Sequence, residues 1–194
     1  MNTAEHIVDC YFRIVKKCFT MNDAKVIGGI NRQLDILAVN LKTGDQFHIE
    51  SSVTHRLGWA PKPADLKAIF EKKFLGLPEK REGKKTDHAL GKQYQQNILD
   101  TYAGYGLDPK RIQRVFVCWV LHSKSTADEL LQAFEDKHKM PISILSFRDT
   151  ILPELREEVG TANYDDEILR TIGFLKERDL QTQREKRTSR TSVG

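Results

Sequence analysis

The stretch from Asn31 to Thr54 limits what this chain can fold into more than any other part of it. Both of its arms are rich in β-branched, aromatic and other apolar residues, and Thr43-Gly44 lies between them as a two-residue turn in which glycine takes a positive φ. The segment reads as a β-hairpin with strands at about 32–40 and 46–54. With Thr43 and Gly44 at the centre of the turn, Lys42 pairs with Asp45, Leu37 faces Glu50, and Asp35 faces Ser52. Side chains on a strand alternate faces, so Asp35, Leu37, His48, Glu50 and Ser52 all project from one side. Asp35 and Glu50 become diagonal neighbours, roughly 7–8 Å apart at the backbone. Two carboxylates at that spacing can converge on one cation, and without a positive partner they repel.

Around the hairpin the apolar pattern changes period. Ala4, Ile7, Val8, Tyr11, Phe12, Ile14, Val15, Cys18 and Phe19 keep helical spacing and predict a helix over 3–19, with Asn2 and Glu5 as a capping box. A short strand is expected over 24–28, ended by Gly28-Gly29. A short helix is predicted over 65–74, an exposed loop over 76–85, and a helix over 86–102 carrying Leu90, Tyr94, Ile98 and Tyr102 on one stripe. Residues 111–121 become continuously apolar, as a strand covered on both faces does. A helix over 126–138, a strand over 141–145, a helix over 148–159 interrupted or restarted at Pro153, and an amphipathic helix over 165–180 complete the chain. The fold class is therefore α/β: a central mixed sheet of about five strands flanked by helices. Residues 1–180 form one domain, with 56–92 as a basic loop and helical insertion, and 181–194 is a basic tail expected to lack order.

The 194 residues suffice for one sizeable core. The net charge of +4 is modest, but its distribution is uneven: residues 56–92 hold ten Lys/Arg against five Asp/Glu, and 184–190 hold four against one. Basic patches attract phosphates, and each is equally consistent with a solvated surface. Cys10, Cys18 and Cys118 form no CxxC pair, which argues for a reducing compartment. The chain start lacks a secretory pattern, and the apolar run Val115 to Leu121 is too short for a bilayer, so a cytoplasmic location, or a nuclear one in a cell with a nucleus, and no membrane partner are expected. No P-loop occurs.

The element order, with Gly28-Gly-Ile-Asn-Arg-Gln-Leu-Asp35-Ile-Leu-Ala on one strand and His48-Ile-Glu50-Ser-Ser52 on the next, resembles the PD-(D/E)xK nuclease superfamily. The likeness includes its restriction-endonuclease-like and Holliday-junction-resolvase-like branches and spans roughly residues 3–159. It implies a restriction-endonuclease-like core and a Mg²⁺- or Mn²⁺-dependent endonuclease that hydrolyses phosphodiester bonds of DNA. Asp35 and Glu50 would hold the metal, with the Ser51 carbonyl, and such oxygen donors suit a hard cation. The metal would activate a water and stabilise charge developing at phosphorus. Glu5 matches the additional first-helix acid of some members, unless it only completes the capping box with Asn2.

One departure stands out. The family's lysine belongs two residues after Glu50, where this chain has Ser52, an uncharged hydrogen-bond donor. In some branches the role moves to the following helix, which makes Lys92 and Gln93 the first candidates, ahead of Lys72, Lys73 and His55. Arg32, Arg56, Lys72, Lys73, Lys84 and Lys85 are the candidate DNA contacts; for Arg32 an ion pair fits as well as a phosphate. The alternative to a nuclease is the same fold kept as a DNA-binding or assembly module with catalysis lost along with the lysine. The helix over 165–180 could serve a homodimer or pack on its own domain.

Overall fold

The computed structural model describes residues 2–28, 32–53, 61–77, 88–121, 124–160 and 162–191. Helix α1 (Thr3–Ile14) opens with the full capping box: the Asn2 side chain accepts from the Glu5 N–H, and the Glu5 carboxylate accepts from the Asn2 N–H. It ends earlier than the apolar spacing suggests. Lys17 takes a left-handed conformation, φ 55°, and the Cys18 N–H turns back to the Phe12 carbonyl at 3.0 Å. The chain therefore enters strand β1 at Phe19, and β1 runs Phe19–Lys25 rather than over 24–28.

Strands β2 (Gln33–Val39) and β3 (Gln46–Ser52) form the expected hairpin, slipped by two residues. Leu37 pairs with His48, not with Glu50. The cause is Asn40, whose side-chain oxygen accepts from the Lys42 and Thr43 N–H groups while its own N–H bonds the Asp45 carbonyl. That Asx turn widens the loop to Leu41–Gly44, with Gly44 at φ 76°. An even slip leaves every side chain on its expected face. Continuing the register from Ile36↔Ile49 by one step sets Asp35 directly across from Glu50.

Beyond the hairpin come α2 (Pro63–Leu75), α3 (His88–Gly104), β4 (Ile112–Cys118), α4 (Lys124–His138) and β5 (Ile142–Ser146). A π-helical turn, Phe147–Ile151, precedes α5 (Leu152–Glu158), where Pro153 occupies the first turn and lacks the N–H that would go unbonded there. Helix α6 runs Glu167–Thr191, past the end of its apolar pattern, because the Gln/Arg/Glu/Lys-rich stretch after Leu180 carries no Gly or Pro to stop it. The sheet order is β1-β2-β3-β4-β5, antiparallel through β3 and parallel from β3 to β5. Five strands in a mixed sheet flanked by six helices make an α/β fold. Among the described residues no helix is long and apolar enough to cross a membrane.

The two faces of the sheet are covered differently. Ile36, Ala38, Ile49, Val115 and Val117 pack under Val8, Tyr11 and Phe12 of α1 and Leu155 of α5. On the other face Phe116 and Ile142 pack against Leu66, Phe70 and Phe74 of α2 and Phe134 of α4, while Leu37 meets Ile98 and Tyr102 of α3. The ring of Phe70 lies 5.3–6.1 Å from those of Phe74, Phe116 and Phe134. Each such fully buried side chain contributes roughly 1.5–3 kcal/mol of transfer free energy. Asp35 and Glu50 belong to this second face, so they look toward α2 and α3.

Gly76 fixes the distance between those two helices. It caps α2 in the left-handed region, φ 66°, and a Cβ there would stand 2.9 Å from the Tyr94 Cβ on α3. Gly76→Ala combines a disfavoured backbone with an overlap. A loss of about 2–4 kcal/mol is expected, read as a lower urea midpoint with unchanged slope.

Candidate metal centre

Asp35 and Glu50 meet across the β2–β3 ladder, and a third charge sits between them. The Lys73 ammonium, from the inward face of α2, donates to Glu50 Oε2 at 2.7 Å and to Asp35 Oδ2 at 3.0 Å, with the Ser51 carbonyl oxygen at 3.4 Å. Two carboxylate oxygens and one main-chain carbonyl thus converge on a single cation position, and the protein's own ammonium fills it. The three donors are hard oxygens, the set that Mg²⁺ and Mn²⁺ take, so the residues fit such an ion. Solvent reaches the pocket from one side: Glu50 is 2% exposed, while the side chains of Asp35 and Lys73 are 20% and 26% exposed.

The electrostatics follow from this placement. Burial and the facing Glu50 push the Asp35 carboxyl from 3.8 up to about 6, against the pull of Lys73 and of the Ser51 N–H, which donates to Oδ2 at 2.8 Å. Burial alone would also raise Glu50, but the hydrogen bond from His48 and the Lys73 ammonium outweigh it and hold that carboxylate below the usual range. Burial works against the Lys73 charge as well; the two carboxylates overcome it and raise its pKa. Because Asp35 sits above its ordinary value, its ionisation opposes folding. Its protonated form contributes fully below about pH 4, and that contribution is lost as the pH rises through about 6.

Arg32 has a different task from the one its position beside the acids suggested. Its guanidinium donates to the Lys72 carbonyl, and to that of Lys73 at 2.9 Å, so it caps the last turn of α2 from the sheet. It thereby holds the helix that delivers Lys73, and its hydrogen bonds go to the protein rather than to an open phosphate site. Glu5 is not brought to the centre: its carboxylate is taken by Asn2, and α1 lies on the opposite face of the sheet. Ser52 is half-buried at the end of β3, level with Cys118, and the positive charge that contacts Glu50 is that of Lys73. Gln93 is exposed on α3 and Lys72 exposed on α2, while the Lys92 side chain lies outside the described residues, as do His55, Arg56, Lys84 and Lys85.

Sequence reasoning ranked Lys73 behind Lys92 and Gln93, yet a signal was present. Leu66, Ile69, Phe70 and Phe74 form the inward stripe of α2, and Lys73 falls on that stripe. A lysine facing a core needs a buried anion. A second polar cluster, His6, Asp9 and Cys10 with ligand atoms within 4.8 Å of one another, is already served by a cation. Arg13 donates to Asp9 at 2.8 Å, to Asp166 at 2.7 Å and to Cys10 Sγ at 3.3 Å, and this network docks the start of α6 on α1.

Lys73→Met leaves the two acids facing each other with no countercharge. Breaking a buried pair costs 3–5 kcal/mol, and the partial exposure of Lys73 and Asp35 reduces this to about 2 kcal/mol. The loss should be larger at about pH 8, where Asp35 is ionised, than at about pH 5, where it takes up a proton. Urea melts of both proteins at the two pH values check this.

Scans against family models, curated proteins and solved structures return no match to this chain.

Proposed function

We propose that this chain is a metal-dependent nuclease of the PD-(D/E)xK, restriction-endonuclease-like kind, hydrolysing phosphodiester bonds of DNA. The observation that carries the reading is the convergence of Asp35 Oδ2, Glu50 Oε2 and the Ser51 carbonyl on one position that already holds a positive charge. The αβββααβ element order around that position agrees with it.

Asp35, Glu50 and the Ser51 carbonyl would hold Mg²⁺ or Mn²⁺, which when bound supplies Lewis acidity at the scissile phosphate. The protein's own residues do the rest. Glu50, ionised and almost fully buried, is a fixed anion that needs no reorganisation. Asp35, at the solvent-facing side, completes the site only when ionised. Lys73 takes the part of the lysine that the family carries two residues after its second acid. Its ammonium offsets one of the two negative charges in the resting protein, and on yielding that position to the ion it would stand beside the site as a donor for the negative charge of a bound phosphate. The exposed Lys67 on α2 and Lys62 immediately before that helix add further positive potential to the element that carries Lys73.

A second reading has an observation of its own. Lys73 bonds both acids, and a pair bridged in this way by an internal ammonium is also what a DNA-binding or assembly module without catalysis would retain.

A panel of duplex, single-stranded and branched DNA incubated with Mg²⁺, Mn²⁺ or chelator separates the two. Cleavage by the native chain is expected with either metal and not with chelator. Asp35→Asn and Glu50→Gln should each lower the rate at least about 100-fold while remaining folded. Salt-sensitive DNA binding with no cleavage of any substrate would establish the second reading.

The same site sets a pH dependence. A cation binds the ionised Asp35 only, so Mn²⁺ affinity should rise as the pH passes about 6 and level off above it, as titration calorimetry would show. Asp35→Asn should remove that rise.

A further inference from the structure

Behind Glu50, away from solvent, lies a chain of polar groups that the proposed reaction has not yet used. His48 Nε2 is 2.7 Å from Glu50 Oε1, and His48 Nδ1 is 2.7 Å from the Tyr102 hydroxyl on α3. His48 and Tyr102 are wholly buried, and Phe74 of α2 closes the imidazole with its ring centroid at 5.0 Å. The direction of each bond is set by chemistry. A carboxylate only accepts, so Nε2 carries the hydrogen toward Glu50. Complete burial disfavours a charge on the imidazole more than the Glu50 carboxylate favours it, and the Arg114 guanidinium, 5.9 Å from the Tyr102 ring centroid, and the Lys73 ammonium on the far side of Glu50 disfavour it further. Nδ1 is therefore bare and accepts from the Tyr102 O–H.

We propose that His48 and Tyr102 are positioning residues for Glu50: Tyr102, donating to Nδ1, holds the imidazole in the orientation that aims Nε2–H at Oε1, and that N–H ties down Oε1 so that Oε2 alone is offered to a cation. This rests on the reading of Asp35 and Glu50 as metal ligands. Tyr102 comes from α3 and Lys73 from α2, so two of the helices covering this face of the sheet hold Glu50, α2 directly and α3 through His48. Without the Tyr102 hydroxyl nothing anchors Nδ1, the ring can tilt, and the Nε2–H that fixes Glu50 is no longer held in line with Oε1. Groups that orient metal ligands in this way are worth about 10–100-fold in metal affinity.

The test is Mn²⁺ binding by titration calorimetry on the native chain, Tyr102→Phe, His48→Leu, His48→Gln, the His48→Leu/Tyr102→Phe double variant and Asp35→Asn, each first shown to be folded by its thermal melt. Tyr102→Phe removes a single oxygen and should weaken Mn²⁺ about tenfold. His48→Leu should weaken it more, and His48→Gln, which keeps an amide donor for Oε1, should recover part of the loss. The double variant should bind no more weakly than His48→Leu alone, because Tyr102 acts only through His48. Nitrogen NMR of the His48 ring should show hydrogen on Nε2 in both proteins, with the Nδ1 resonance in Tyr102→Phe moving toward that of a ring nitrogen that accepts no hydrogen bond, which packing alone would not produce. Native Mn²⁺ affinity in both Tyr102→Phe and His48→Leu, with binding lost in Asp35→Asn, would overturn the positioning role and leave the metal site standing. Native affinity in Asp35→Asn would overturn the metal site and the positioning role together.

Discussion

The Lys73 ammonium between Asp35 and Glu50 is the interaction on which the rest of this structure turns. Placing two carboxylates opposite each other on adjacent strands, one of them almost out of water, is unfavourable unless a positive charge stands between them. Lysine reaches that place only because α2 lies against the sheet with its charged residue facing inward. The packing of Leu66, Phe70 and Phe74 and the Arg32 clamp on the last turn of the helix are thus conditions for the acids to coexist. Apolar burial supplies the adhesion, and the ion triad specifies the position along the groove at which α2 settles.

Much of the architecture was legible in the sequence because its periods are clean. The continuously apolar β4 emerged covered on both faces, and Pro153 marked the place where a π-helical turn gives way to α5. The hairpin face was also legible, for a reason that owes something to arithmetic. Asn40 made the loop two residues longer than the Thr43-Gly44 turn required, and only an even slip keeps a strand's faces in place. The end of α1 was not legible, because nothing in the apolar spacing announces that Lys17 will turn left-handed.

Legibility of the site itself was uneven. The two acids could be paired from spacing. Their countercharge could not be found by looking two residues along the strand, because it arrives from a helix in a segment dense with other lysines. What distinguishes Lys73 from Lys72 is one step of helical phase: Lys73 points to the core and Lys72 to solvent. For Arg32 the sequence left an ion pair and a phosphate equally open, and it gave no sign of a third partner, the main-chain carbonyls at the end of α2 that take its guanidinium. Tyr102 was visible only as a member of an apolar stripe, since its hydroxyl has no periodicity to give it away.

The sheet topology divides mechanical compliance unequally around this pocket. The strand bearing Glu50 is laced to neighbours along both edges, one running against it and one with it, so releasing it means tearing the sheet in two. Lys73 rides on a helix seated by side chains alone and by one arginine at its tip. Any guest that competes for the carboxylate oxygens therefore meets a stiff floor and a yielding roof, and the give needed for its entry comes from the roof.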